Sequence, residues 1–311
     1  MVPIHESNDS LNKEVSIIAG LSSSHLAEEI AKHLDAELVP AEIHIFPDGE
    51  SKVKIKNPDK KKYCIVIQSI YPPIDRHLLQ ALMMINKCND YHVANVYAVI
   101  PYLAYARQDR AFLEEEVITI ALIAKLLEAV GTKRLITVDI HSSFALSHFT
   151  IDVQNISSIP ILARYVSKKI KLNKPIVVSP DTGGIERAQE FAKILKMDMI
   201  VLKKSRDRKT GEVSIDEKLD SNIEGKDVLI VDDMISTGES IVKACLALKK
   251  NKSGKVYAIC AHALLIGDAK QKLKAAGIQD IITTNSIPSE FAKADLSHII
   301  SENIINLIQT C

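Results

Sequence analysis

The chain has 311 residues, 47% hydrophobic and 25% charged, which is enough for two ordinary cores, because single domains usually stop growing below this length. Thirty-nine Lys and Arg balance 39 Asp and Glu, so no net field exists to hold nucleic acid and a small-molecule partner is expected. Cys64, Cys88, Cys245, Cys260 and Cys311 are odd in number and never spaced as CxxC; this argues against a disulfide framework or a thiolate zinc site and for a reducing, cytoplasmic location.

Residues 1–12 are polar, carrying Glu6 and Asp9, and no later apolar run approaches the roughly 20 residues of a membrane span, so neither export nor membrane insertion is expected. From there, aliphatic runs alternate with segments of helical period. A strand at Val15–Ala19 and a helix over 23–34 lead to residues 41–55, whose alternation suggests a hairpin around Asp48-Gly49. Strands follow at 63–68, Asn95–Ile100 and Arg134–Val138, separated by helices over 75–87 and 117–130, the latter stopped by Gly131. Further strands at 175–179, 199–202, 227–231, 255–261 and 280–283 alternate with helices over 184–195, 240–249 and 296–308. A cationic segment, 203–211, interrupts this series before a short strand at 212–215.

Runs such as Val228-Leu229-Ile230-Val231 are apolar at every position, as expected of parallel strands covered on both faces. The expected fold is therefore α/β, with two mainly parallel sheets flanked by helices. The join falls near 157–160, giving domains over 1–157 and 158–311, with the last helix free to pack on the first domain. No sequence repeat relates the halves.

The strand 228–231 runs into Asp232-Asp233, then Ser236-Thr237-Gly238 and a helix beginning near Glu239 and Ser240. In open α/β sheets ligands bind at this carboxyl edge. Unpaired amides and the positive end of a helix dipole suit a phosphate, and the two hydroxyls add donors. Carboxylates accept only, so they suit the vicinal hydroxyls of a ribose, and the whole describes a sugar-phosphate site. The plainer alternative is a capped helix with ordinary turn residues. Neither GxxxxGK[ST] nor a strand followed by GxGxxG occurs, so no Walker or dinucleotide loop is available.

Residues 231–240 resemble the phosphoribosyl-diphosphate loop of the phosphoribosyltransferase fold group, which includes both consumers and makers of that compound. The sequence from Pro101 to Arg110, PYLAYARQDR, is similar to the PYxxYARQDR signature of the ribose-phosphate diphosphokinase family. In that pattern Arg107 and Gln108 offer a guanidinium fork and an amide to ATP. Phe46-Pro47-Asp48-Gly49-Glu50 resembles the family's FxDGE element, in which Phe46, Asp48, Gly49 and Glu50 would reach the ATP site of a neighbouring subunit. That implies a homo-oligomer, a dimer or a multiple of dimers, with a shared ATP site.

His141 and Asp181 follow apolar strands and resemble the family's metal-ligating pair, implying Mg²⁺. A hard cation makes the Asp181 carboxylate the natural direct contact and leaves His141 to act through water. Lys204 and Arg206 match the basic pair of the family's catalytic loop, where they would neutralise charge on the transferred group. Arg206, Asp232, Asp233, Ser236, Thr237, Gly238, Glu239 and Ser240 would then bind ribose 5-phosphate.

The resemblance spans residues 15–310 and implies two phosphoribosyltransferase-like domains with Mg·ATP between them. It implies transfer of the β,γ-diphosphoryl group from ATP to the sugar, for nucleotide biosynthesis. Glu239 stands where the family commonly has Gly, and Ser236 where many members carry Asp. A phosphoribosyltransferase shares the cradle and has no need of Arg107, Gln108 or the Lys204–Arg206 pair. A non-catalytic paralogue should have lost loop or metal residues.

Overall fold

The computed structural model describes residues 14–58, 61–202, 204–206, 213–215 and 222–310, with the backbone alone for 204–206 and 213–215. The expected N-terminal extension, Lys203, residues 207–212 and Cys311 lie outside the described residues.

The chain divides into two compact units. The first takes the chain through Ile156 and adds Ser286–Pro288 and the C-terminal stretch from Leu296; the second holds Ser157–Asn285 and Ser289–Asp295. In the first unit β1 (Val15–Ala19), α1 (Ser24–Leu34), β2 (Glu37–Pro40) and the antiparallel hairpin β3 (Glu42–Ile45) and β4 (Ser51–Lys54) come first. They are followed by β5 (Tyr63–Ile67), α2 (Ile74–Asp90), β6 (Asn95–Ile100), α3 (Thr119–Ala129), β7 (Arg134–Val138) and β8 (Asp152–Ile156).

The second unit runs α4 (Ile159–Lys169), β9 (Ile176–Ser179), α5 (Ile185–Leu195), β10 (Asp198–Val201), β11 (Lys204–Arg206), β12 (Val213–Ile215) and β13 (Val228–Ile235). It continues through α6 (Glu239–Lys250), β14 (Val256–Ala263), α7 (Ala269–Ala275), β15 (Ile278–Thr284) and β16 (Ala292–Ala294). The final helix, α8 (Ser297–Gln309), belongs to the first unit, where its Asn303 accepts a hydrogen bond from Gln154 of β8.

Each unit has a six-stranded sheet with every pairing parallel, in the orders β2-β1-β5-β6-β7-β8 and β10-β9-β13-β14-β15-β16. The expected α/β class with two parallel sheets is what forms. In both, strand order reverses after the first strand, creating a crevice at the carboxyl edge between β1 and β5 and between β9 and β13.

Alternate residues of the second sheet feed opposite faces. Ile176, Val178, Val228, Ile230, Val256 and Ala258 pack with Ile241, Ala244, Cys245 and Leu248 of α6 and Leu273 of α7. Val177, Leu229, Val231, Tyr257 and Ile259 pack with Leu162 and Val166 of α4 and Ala188 and Phe191 of α5. Burial on both faces explains why these strands carry unbroken aliphatic runs; each buried Leu or Ile contributes about 1.5–3 kcal/mol.

Gly131 does end its helix. It adopts φ +92°, its N–H donates to Glu128 O (2.9 Å), and an added Cβ would meet the Asn89 amide at 2.6 Å. The sequence reading missed β2, β8, β16, α4 and α7. The edge strands β2 and β8 carry partly exposed, polar residues, so they lack the aliphatic signature. Helix α7 spans only two turns. Pro160, which reads as part of a linker, occupies the first turn of α4, where its missing N–H leaves no helical bond unmade.

Candidate active site

The acid pair lies inside a strand, not beyond its end as the sequence suggested. Strand β13 continues through Asp232 and Asp233 to Ile235, held by β14 with Asp232 opposite Cys260 and Met234 opposite His262. The two neighbouring carboxyl groups stay within hydrogen-bonding reach of each other. Asp233 is 3% exposed and turns toward α5, where Arg187 Nη2 lies 4.0 Å from its Oδ2. Asp232 is partly exposed, and its Oδ1 accepts from the Asp233 N–H at 2.9 Å.

The β9–α5 turn supplies the other wall of the crevice. Asp181 Oδ1 accepts from the N–H groups of Gly183 (3.0 Å) and Gly184 (3.2 Å), and Ser179 Oγ donates to Asp181 O at 2.7 Å. Gly184 is a close-approach position: an added Cβ would lie 2.9 Å from Ser179 Oγ and 3.9 Å from Asp232 Oδ1. Burial pushes the Asp232 carboxyl up to about 8, and the charges of Asp233 and then Asp181 add to the rise.

Past β13 the chain turns through Ser236, exposed Thr237 and buried Gly238 into exposed Glu239 and Ser240 at the start of α6. Gly238 takes φ +77°, a left-handed value that favours glycine, and an added Cβ would press on Leu273 Cγ at 3.2 Å. No side chain caps α6. Its first-turn amides have no intrahelical acceptors, and they face the same edge as the acid pair, forming an anion cradle. Glu239 sits in that first turn, exposed.

The same edge of the first unit is filled by protein. Buried Gln68 pushes its Oε1 to 2.0 Å from where a Gly20 Cβ would stand and accepts from the Ser22 N–H at 3.3 Å. Ser22 Oγ donates to Ser69 O (2.7 Å) and Ser23 Oγ accepts from the Ser69 N–H (2.8 Å). Its polar groups are satisfied internally, so this crevice offers no cradle.

The remaining candidates of the first unit stand on loops. Phe46, Asp48, Gly49 and Glu50 form the exposed tip of the β3–β4 hairpin. The Phe46 N–H donates to Glu50 O, Gly49 N–H to Phe46 O, and the Asp48 carboxylate accepts from the Glu50 N–H at 3.1 Å. The expected hairpin thus forms, with Phe46 40% exposed. Arg107 and Gln108 are exposed on the turn after β6, and Gln108 Oε1 accepts from Thr119 Oγ1. Among the described residues no hydrogen bond or ion pair joins this turn to the hairpin tip.

His141 is exposed just beyond β7. Its neighbour Ser142 donates to Asp109, which is buried, and His148 Nε2 contacts Asp109 O at 2.8 Å. The Ser142 hydroxyl, and then Arg110, hold the Asp109 carboxyl below its ordinary value against the opposing effect of burial. Asp109 thereby ties the Arg107–Gln108 turn to the His141 segment, a link the sequence reading missed. Lys204 and Arg206 lie on β11, opposite Ile215 and Val213 of β12.

Residues 15–131 match the family model of the N-terminal domain of ribose phosphate pyrophosphokinase, and residues 154–293 match the phosphoribosyl transferase domain. The chain is 37% identical to a ribose-phosphate pyrophosphokinase of Sulfurisphaera tokodaii over 93% of its length and 99% of that protein. It is 35% identical to one of Staphylococcus epidermidis, covering 91% and 88% of the two chains. Its fold is similar to the phosphoribosylpyrophosphate synthetase of Mycobacterium smegmatis, with a TM-score of 0.84, 25% identity, and 96% and 100% of the two chains covered. With both domain models matched in order and relatives aligned over nearly their whole lengths, the chain belongs to the ribose-phosphate pyrophosphokinase family and is an enzyme of that kind.

Proposed function

We propose that the chain transfers the β,γ-diphosphoryl group of Mg·ATP to the C1 hydroxyl of ribose 5-phosphate, giving 5-phosphoribosyl 1-diphosphate and AMP. The observation that carries this reading is the open cradle of 236–240 beside Asp232 and Asp233 at the strand-order reversal of the second sheet. Family membership supplies ATP and ribose 5-phosphate as the substrates.

The 5-phosphate sits against the first-turn amides of α6 with Ser236, Thr237 and Ser240 as further donors, and Gly238 gives the backbone its left-handed entry. Asp232 and Asp233 accept from the ribose hydroxyls and orient C1, with Arg187 anchoring Asp233 from behind. Glu239, in the same first turn, is exposed to solvent. Arg107 and Gln108 bind the ATP phosphates and base side, and Phe46, Asp48, Gly49 and Glu50 reach an ATP site on a neighbouring copy. The exposure of the hairpin tip supports that assignment, and the working unit is a homo-oligomer built from dimers. Lys204 and Arg206 neutralise charge on the transferred group, with Arg206 also contacting the sugar phosphate.

Mg²⁺ fits the residues present. Three carboxylates, Asp181, Asp232 and Asp233, share the second unit's edge, and the Asp232 pKa is raised first by burial and then by the charges of Asp233 and Asp181. Among the described residues no cluster of three or more His, Cys, Asp or Glu could hold a metal alone. That suits an ion held by one or two carboxylates plus water and phosphate oxygens, with Asp181 as the direct contact and His141 serving through water. Bound Mg²⁺ would neutralise the phosphate oxygens and polarise the bond to be broken.

Phosphorus NMR of the protein with ATP, Mg²⁺ and ribose 5-phosphate tests the reading. AMP and the sugar diphosphate should appear together in equal amounts. ADP in place of AMP would mean an ordinary sugar kinase, and no turnover would point to a non-catalytic relative.

A further inference from the structure

A second cavity, of about 650 Å³, opens on the second unit at the amino ends of its strands, the edge opposite the acid pair and the cradle. It is lined by the Lys171–Asn173 turn before β9, the Gly225–Asp227 turn before β13, Lys249 at the end of α6, Ser253–Lys255 before β14, and Gly277 and Gln279. The proposed reaction uses none of these residues.

Three exposed lysines, Lys171, Lys249 and Lys255, line it against one carboxylate. Among the described residues neither Lys171 nor Lys255 has a carboxylate within 4.0 Å, and Lys249 Nζ donates to Gly254 O at 2.5 Å. The one carboxylate, Asp227, is buried and turned inward. Its Oδ1 accepts from the Lys255 N–H (2.8 Å) and its Oδ2 from the Asn173 N–H (2.8 Å). It fixes the two turns that bear the lysines and leaves net positive charge over the cavity.

The walls are held in place by the backbone. Gly254 packs so closely that an added Cβ would stand 2.6 Å from Asp227 Oδ1 and 3.0 Å from Lys226 O. Gly225 and Gly277 take φ +71° and +94°. The volume falls in the range of about 300–1,000 Å³ usual for small-molecule sites and is larger than a bare oxyanion needs. The amides of Asn173 and Gln279 and the apolar flank of Leu172 line the rest.

We propose that this cavity binds a small organic phosphate, its phosphoryl group held by Lys171 and Lys255 and its hydroxylated body by Asn173 and Gln279. The site is separate from the one that carries out the reaction. It stands whether or not the proposed reaction is correct.

The test uses the full chain. Crystals soaked in tungstate, a phosphate mimic with strong anomalous scattering, should show one peak at the cradle and another in this cavity. The double variant Lys171→Gln/Lys255→Gln should lose the second peak and keep the first. In calorimetry, glucose 6-phosphate should bind the wild type more tightly than inorganic phosphate does, and the double variant at least roughly tenfold more weakly, as expected for losing charge-assisted hydrogen bonds. An empty cavity at a tungstate concentration that fills the cradle would overturn the proposal. So would a cavity peak that survives in the double variant while that variant's unfolding midpoint is unchanged. Equal affinity for the two phosphates would overturn the organic-phosphate assignment, and a double variant that misfolds is replaced by the single variant Lys171→Gln, which should weaken both phosphates, unchanged binding of both overturning the proposal.

Discussion

Replacing Asp232 by Asn should make the substrate-free protein more stable, by an amount that grows with pH. In the folded chain the Asp232 carboxyl titrates at about 8, because of burial and then the neighbouring carboxylates Asp233 and Asp181. In the unfolded chain it titrates near the ordinary value of about 3.9. A carboxyl raised by folding favours the folded state fully below its unfolded pKa, and that contribution is lost as pH climbs toward the folded pKa. One proton is involved, so the wild type loses at most about 1.4 kcal/mol per pH unit relative to the Asn variant. That slope applies between the unfolded and folded pKa values, and partial exposure of Asp232 narrows this window. Urea unfolding at pH 5, 6, 7 and 8, with a chelator present, measures it. The midpoints should separate steadily, the variant being higher at pH 8, and Mg²⁺ should narrow the gap by neutralising the wild-type edge. A gap that is constant with pH, or that closes as pH rises, would refute the electrostatic account of this edge.

Other perturbations separate the parts of the site. Gly238→Ala forces a side chain into a left-handed conformation and against Leu273; it should lower stability by about 1–2 kcal/mol and raise KM for ribose 5-phosphate more than KM for ATP, as steady-state kinetics and urea unfolding will show. Phe46→Ala removes an exposed ring and should raise KM for ATP roughly threefold to tenfold without moving the unfolding midpoint. Lys204→Ala should lower kcat by about 10²–10³, again with an unchanged midpoint; near-normal turnover would remove Lys204 from its assigned role.

Much of this architecture is legible in the sequence because both faces of each central strand are buried. Val228–Val231 feed two different helix layers, so every position must be apolar, and the run announces itself. The edge strands β2 and β8 obey no such demand and stay silent. Pairing with β14 carries the acid pair's strand on to Ile235, a long-range effect no local pattern contains. That extension buries Asp233 beside its Arg187 partner, six residues beyond Asp181 on the next helix. Likewise Asp109 lay within the quoted signature, yet its link to Ser142 spans 33 residues and appears only once the sheet brings the two loops together. Gln68 shows the converse: nothing in its local sequence says that it fills the first unit's crevice.

The central claim is that the sugar's own C1 oxygen attacks the β-phosphorus of ATP. Ribose 5-phosphate labelled with ¹⁸O at C1 tests it directly, with the products read by the isotope shift in phosphorus NMR and by mass spectrometry. The account predicts that the label is retained in the C1–O–P bridge of the sugar diphosphate, with AMP unlabelled. Label released to water, label in AMP, or a labelled sugar bearing one added phosphoryl group together with ADP would contradict it.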